Sequence, residues 1–408
     1  MYIHRAIEET LRTISNTFPV LLVTGPRQVG KSTLLNQLMN ENRTVISLDD
    51  LEIRKLAKED PALFMQRYRP PLLIDEVQYA PELFPYIKLA VDSSHKNGDF
   101  WLTGSQAFQL MEGVSESLAG RVGVINLLGL SENEIRGSSS TPFVVNPDEL
   151  IQRSQKLEEQ NISDVFERIF LGSFPRLYAD NAPNRDIYFE SYIQTYIQRD
   201  VRKLTQVANE LAFQTFMIAV AARTARPLVY DELANEVGVS APTVKKWISI
   251  LRTSGLVTLV QPYHNNILKR ATKMPLLHFM DTGLAAYLLK WTSPETLETG
   301  AMSGQFFESY VFSELYKSYL NTGKEPPFFY YRDKEKREID LLINQNNTLH
   351  PIEIKKSASP GKEAIKNFRA LDALKGSKTT VGTGCVICMS NNIIPLDENN
   401  WQVPVWLI

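Results

Sequence analysis

The sequence predicts an α/β domain built on a parallel sheet, followed by an all-α lid carrying a winged helix and by an α+β carboxyl-terminal domain. Three observations carry that division. A glycine-rich loop, Gly25-Pro26-Arg27-Gln28-Val29-Gly30-Lys31-Ser32, stands between an apolar run and a helical pattern. Five short apolar runs then alternate with helical or loop segments, the order of a parallel sheet covered on both faces. Near the carboxyl end, two charged strand-like runs flank an asparagine-rich turn.

The first boundary comes from the loop and its flanks. Residues 20–23 read as a buried strand, and Leu34, Leu35 and Leu38 recur at helical spacing behind the loop. The spacing G-x-x-x-x-G-K-S needs both neighbours, because strand and helix together wrap a polyphosphate in inward-pointing N–H groups. In that geometry Lys31 meets the outer phosphates, Ser32 ligates magnesium, and the helix turns its positive end toward the phosphates. Gly25, Pro26, Arg27, Gln28, Val29, Gly30, Lys31, Ser32 and Thr33 are therefore the candidate contacts to ATP, with Mg2+ as its companion.

A second apolar run, Pro71-Leu72-Leu73-Ile74-Asp75-Glu76, ends in two acids. Asp75 is assigned to the magnesium side and Glu76 to general-base duty toward water. Further strands are expected at 44–48, 100–103 and 122–128. Thr103 or Ser105, at the carboxyl edge of the fourth strand, is read as a sensor of the outer phosphate. Ser117-Leu118-Ala119-Gly120-Arg121 puts Arg121 at a helix end facing outward. Two readings stand for it: a guanidinium acting in trans on a neighbouring subunit's nucleotide in a homo-oligomer, and a cation answering the helix dipole.

At 408 residues the chain is too long for one core, so several domains are expected: 1–136, 137–206, 207–275 and 276–408. A net charge of −2 excludes a generally basic nucleic-acid binder and leaves such contact to local patches. No run approaches membrane-spanning length, and Met1-Tyr2-Ile3-His4-Arg5 lacks an apolar export segment, so the expected location is cytoplasmic, with no membrane partner. The only cysteines, Cys385 and Cys388, lie in an apolar run where residues three apart face opposite ways, which favours packing over a redox or metal role.

Past a loop at 137–142, residues 164–170 and 188–204 are helical by pattern and form the lid. From 212 to 260 the pattern becomes three helices and a hairpin. Leu233, Ala234 and Val237 face a core, Gly238-Val239-Ser240 makes the turn, and Ser240 caps a helix with Pro242 in its first turn. On that helix Val244, Ile248 and Leu251 form the buried stripe, with Lys245, Ser249 and Arg252 opposite. DNA contact through Lys245, Lys246 and Arg252 and a rigid connector with a solvated polar face both fit.

In the last domain, Arg337–Ile343 and Leu349–Lys355 surround a turn centred on Asn346-Asn347. A two-residue hairpin there sets Asp340 across from Glu353 and Glu338 across from Lys355 on one face, with Ile339, Leu341, Ile343, Ile352 and Ile354 on the other. Opposed carboxylates, with β-carbons roughly 5 Å apart, call for a cation between them, and a hard divalent ion such as magnesium suits oxygen ligands. Lys355, two residues from Glu353, orients or deprotonates water beside that ion, while Asp340 and Glu353 fix it. Glu308, on an amphipathic helix over 306–319, is the third carboxylate. A solvated charged face is the competing reading, and Pro351 argues for an edge strand.

The phosphate loop, Ile74-Asp75-Glu76, Leu118-Ala119-Gly120-Arg121, Phe279-Met280-Asp281-Thr282-Gly283-Leu284 and Tyr330-Tyr331-Arg332 leading to Arg337-Glu338-Ile339-Asp340 resemble prokaryotic AAA-type P-loop ATPases joined to domain of unknown function 4143. The likeness covers nearly the whole chain. That second domain is similar to the PD-(D/E)xK nuclease superfamily, whose pattern falls on Glu308, Asp340, Glu353 and Lys355. The resemblance implies an ATP-hydrolysing AAA-type machine coupled to metal-dependent processing of DNA. The alternative is an ATP-driven switch whose last domain binds protein or nucleic acid without cutting.

Overall fold

The computed structural model describes residues 2–104, 113–114, 116–138, 141–196, 210–264, 274–374 and 379–408. Ser105, residues 197–204 of the expected lid helix and the tip of the expected wing lie outside them. Helix α1, Glu8–Thr17, precedes strand β1, Val20–Thr24, and α2, Lys31–Leu38, follows the loop. Strands β2 (Thr44–Ser47), β3 (Leu72–Asp75), β4 (Phe100–Thr103) and β5 (Val122–Asn126) complete a parallel sheet ordered β2-β3-β4-β1-β5. Side chains alternate across β1. Leu21 and Val23 enter one core with Trp101, Ile125 and Leu34, while Val20 and Leu22 enter another with Phe84, Ile87 and Phe100. Burial on both faces is why the strand reads as an unbroken apolar run.

The Leu21 side of the sheet is continuous with everything that follows, since one core runs through the lid, the middle helices and the carboxyl-terminal sheet. In the lid, helices Ile162–Leu171 and Arg185–Tyr196 carry apolar faces, and Tyr192 stacks on Tyr196 with ring centroids 6.2 Å apart. Helices Glu210–Ala221, Tyr230–Val237 and Ala241–Thr253 come next, the second ended by Gly238 at φ 75° and the third capped by Ser240 on Thr243 N–H. Strands β6 (Arg226–Pro227), β7 (Val257–Val260) and β8 (Leu276–Phe279) form an antiparallel sheet ordered β6-β8-β7. The boundary expected after residue 275 cuts this sheet, because β8 closes on β7 and belongs with the middle helices.

Phe279-Met280-Asp281-Thr282-Gly283-Leu284 acts as a clasp. Asp281 Oδ1 caps the next helix through Leu284 N–H at 2.7 Å, and Oδ2 accepts from Ser173 N at 2.7 Å and Oγ at 2.6 Å. Gly283 lies against the lid so closely that a Cβ there meets Leu171 O and Gly172 N at 2.5 Å. Both obstacles are backbone. Gly283→Ala is therefore expected to cost at least about 2 kcal/mol by overpacking, read as a lower urea midpoint; an unchanged midpoint contradicts the clasp.

The last domain is a mixed sheet. Strands β9 (Phe328–Arg332), β10 (Glu338–Gln345), β11 (Thr348–Lys355), β12 (Thr380–Val381), β13 (Gly384–Cys388), β14 (Ile394–Pro395) and β15 (Asn400–Pro404) are ordered β14-β15-β13-β11-β10-β9, with β12 also on β11. Helix Ser303–Leu320 contributes Phe307, Val311 and Leu315 to the main core, which also takes one set of sheet side chains, and the segment Lys362–Leu374 packs with the other set. Cys385 enters the first core and Cys388 the second, so the pair does not share a face. Burial pushes both thiols up, leaving them unreactive packing groups.

The expected hairpin register holds from Leu341/Ile352 to Gln345/Thr348, turned by Asn346 and Asn347 at φ 52° and 65°. Two expectations about this ribbon need correcting. Neither face is solvated: a bulge between Ile339 and Leu342 carries Ile339 onto Leu342's side, where both join Leu349 in a separate core. Nor is β11 an edge strand, since β10 and β13 flank it. Pro351 is tolerated because it falls between the pairings to β12, which end at Leu349, and those to β13, which begin at Ile352.

Candidate functional site

The glycine-rich loop leaves β1 and returns into α2. At Gly25, φ is 136° and a Cβ meets Leu127 O at 2.0 Å, so no side chain fits. At Gly30, φ is 89° and a Cβ meets nothing within 4 Å, so that side of the loop is open. The cleft there is lined by Arg27, Gln28, Gly30, Lys31, Ser32, Thr33, Glu76 and Thr195. Thr195, near the end of a lid helix, is a cleft residue that sequence reasoning missed; nothing in its local pattern marks it. Lys31 Nζ donates to Gly25 O at 3.1 Å and Pro26 O at 2.8 Å, holding its ammonium within the loop.

The two expected metal-side groups meet: Ser32 Oγ donates to Asp75 Oδ1 at 2.6 Å. Thr103 Oγ1 also donates to Asp75 and accepts Glu76 N–H at 3.1 Å. The Thr103 hydroxyl, the expected phosphate sensor, is thus bonded to the acidic strand end beside Ser32. Glu76 sits at φ 57°, and its carboxylate accepts from the Gln78 amide.

Arg121 lies elsewhere. It immediately precedes β5, whose first residue, Val122, pairs with Val20 at the start of β1, while the phosphate loop leaves the other end. Five residues of strand, roughly 16 Å, separate the two edges. Arg121 therefore does not reach its own chain's phosphate loop. Its Nε bonds Asp92 Oδ1 at 2.5 Å and its Nη2 bonds Oδ2 at 3.0 Å, a two-pronged pair that holds the Asp92 carboxyl below its ordinary range.

The carboxylate cluster of the last domain forms around Lys355. Its Nζ is 2.6 Å from Glu353 Oε1 and 3.6 Å from Asp340 Oδ2. Asp340 Oδ2 also accepts Ile354 N–H at 2.8 Å, so the β10 side chain replaces a ladder carbonyl there. Glu338 faces Arg332 across β9 instead of pairing with Lys355. Burial, then Asp340, pushes Glu353 up to about 8. Burial, then Asp340, also raises Glu308 well above the usual carboxylate range, which places that side chain in the same field. Burial raises Asp340 as well, against the pull of Lys355. Burial alone lowers Lys355, but Asp340 and Glu353 outweigh it and the ammonium keeps its proton.

Among the described residues, no group of three or more His, Cys, Asp or Glu side chains is arranged to hold a metal ion. The expected convergence of Glu308, Asp340 and Glu353 into a ligand shell is replaced by an ammonium bridging two of the acids. One observation nonetheless fits a cation: Glu353, 6% exposed, leaves its Oε2 buried without a hydrogen-bond partner.

Helix Ala241–Thr253 presents Lys245, Lys246, Ser249 and Arg252 to solvent, with Val244, Ile248 and Leu251 buried. Among the described residues no helix is long and apolar enough to cross a membrane.

Three family models match the chain in succession, the middle one running across the boundaries expected after residues 206 and 275. Residues 17–136 match the family model of an AAA domain, 162–295 a domain of unknown function (DUF8612) and 303–408 a domain of unknown function (DUF4143). Uncharacterized proteins of Mycobacterium tuberculosis (Rv2008c) and Mycobacterium bovis (Mb2031c) are each 28% identical over 355 residues, covering 86% of this chain and 73% of theirs. The Walker-type ATPase PABY2304 of Pyrococcus abyssi aligns over 69% of this chain and 94% of its own, with 14% identity and a TM-score of 0.43. The AAA match and the parallel sheet with its phosphate loop make the amino-terminal region an α/β AAA-type ATPase domain, joined to a carboxyl-terminal DUF4143 domain.

Proposed function

We propose that this protein binds and hydrolyses ATP at the Gly25–Ser32 loop and couples that cycle to metal-dependent cleavage of DNA by its last domain. The observation that carries the ATPase half is the meeting of Ser32 and Asp75 beside an open phosphate cradle. Ser32 and Asp75 would hold magnesium there. Bound magnesium neutralises charge on the transferring phosphoryl group. Loop N–H groups and Lys31 bind the phosphates, exchanging the Gly25 and Pro26 carbonyls for phosphate oxygens. Glu76 takes the proton from attacking water, with Gln78 steadying its carboxylate. Arg121, remote from its own cleft, serves a neighbouring copy's nucleotide after release from Asp92, which makes a homo-oligomer the working form.

For the second half, Asp340 and Glu353 would hold a divalent ion in place of the ammonium, the orphaned Glu353 oxygen being its first ligand, with Glu308 in the same field. Such an ion stabilises the attacked phosphate. Lys355 then moves from bridging the acids to orienting water. The order helix, strand, helix, helix, strand, strand in the middle region supports a winged helix that presents Lys245, Lys246 and Arg252 to the DNA backbone. Purified protein is expected to nick supercoiled plasmid in magnesium and to leave it intact in EDTA.

A second reading is favoured by one observation, the ammonium already seated between Glu353 and Asp340. On that reading the last domain binds protein or nucleic acid without cutting, and ATP drives a switch. Absence of nicking alongside intact ATP turnover supports it.

A further inference from the structure

The phosphate cradle is held from behind by a residue outside its motif. Arg5 is 6% exposed, and all three nitrogens of its guanidinium are bonded. Nη1 donates to Val29 O at 3.0 Å, and Nη2 donates to Leu128 O at 2.8 Å and Gly129 O at 3.2 Å. Nε pairs with Glu134 Oε1 at 3.0 Å. Glu134 is fixed in turn, since Oε1 accepts Ala6 N–H at 2.8 Å and Oε2 accepts Ser131 N–H at 2.7 Å.

Val29 is the residue before Gly30, the residue that opens α2. A peptide group is planar and trans, so the Val29 carbonyl and the Gly30 N–H point in opposite directions. Anchoring the carbonyl inward on a buried guanidinium therefore turns the Gly30 N–H away from the guanidinium, and Gly30 lines the open cleft. Glycine has no intrinsic preference that would keep it there, because both signs of φ are open to it. The orientation has to be imposed from outside. Lysine at position 5 does not reproduce it, since a single ammonium lacks the planar fork that reaches Glu134 and the carbonyls of Val29, Leu128 and Gly129 together.

We propose that Arg5 is a positioning residue of the nucleotide site, setting the Val29–Gly30 peptide so that the cradle is formed before phosphate arrives. The proposal rests on the ATP-binding reading. It acts through the loop and makes no contact with nucleotide.

The test is calorimetric titration of ADP with magnesium into full-length protein, at a temperature well below the melting point of each variant. Arg5→Lys is expected to weaken ADP about tenfold or more. Glu134→Gln, which loosens the guanidinium without removing it, gives a smaller loss in the same direction. Leu11→Ala, a core truncation on α1 outside the phosphate loop, lowers the melting temperature and leaves ADP affinity as in the wild type. The proposal is overturned if Arg5→Lys binds ADP like the wild type, or if Leu11→Ala loses as much affinity as Arg5→Lys. Should Arg5→Lys not fold, wild-type affinity in Glu134→Gln overturns it. A wild-type protein that takes up no ADP sinks the nucleotide reading itself, and this proposal with it.

Discussion

Glu76→Gln is expected to bind ATP normally and to hydrolyse it roughly 10²–10⁴-fold more slowly, the range a positioned general base contributes. The substitution keeps size and the hydrogen bond from Gln78 but removes the proton acceptor. The bonds of Lys31 to the Gly25 and Pro26 carbonyls and of Ser32 to Asp75 do not pass through the Glu76 carboxylate, so the substitution leaves them in place. Release of inorganic phosphate under saturating ATP separates the two quantities. Turnover equal to the wild type means that water is activated elsewhere or that bound ATP serves only to hold the fold.

Lys355→Ala is expected to abolish plasmid nicking, by at least about a hundredfold, as removal of an electrostatic stabiliser does elsewhere, and to leave ATP turnover unchanged. Without the ammonium, Glu353 and Asp340 face each other uncompensated in a site where burial already raises both. Protonation of one acid relieves that repulsion, so the truncated site admits an ion only in competition with protons. Wild-type nicking in the variant excludes Lys355 from the chemistry. A wild type that does not nick leaves the switch reading in place.

Local chemistry was readable wherever spacing alone dictates it. The phosphate loop needs only a strand, two glycines and a helix in sequence, and the β10–β11 register follows from Asn346 and Asn347 accepting positive φ at the turn. Asp75 and Glu76 end a strand that could be traced from its apolar run. What sequence did not reveal depends on partners far along the chain. The bulge that turns Ile339 across the sheet comes from pairing with β9, and β11 becomes interior only when β13, some thirty residues later, lies beside it. Arg5 reads as one more cation in an unpatterned terminus until Val29, Leu128 and Glu134 surround it. Thr195 enters the nucleotide cleft only because the lid folds back over the loop. Gly255 lies so close to Pro26 of the loop that a Cβ there would meet its ring at 3.0 Å, an approach between segments with no shared pattern.

The most direct test of the account is titration of magnesium and ATP into the full-length protein, comparing the wild type with Lys31→Ala. Saturable uptake of one nucleotide per chain, lost in the variant, is the result expected from a cradle whose ammonium is parked on the Gly25 and Pro26 carbonyls awaiting phosphate. No uptake by the wild type, or equal uptake by both proteins, contradicts it.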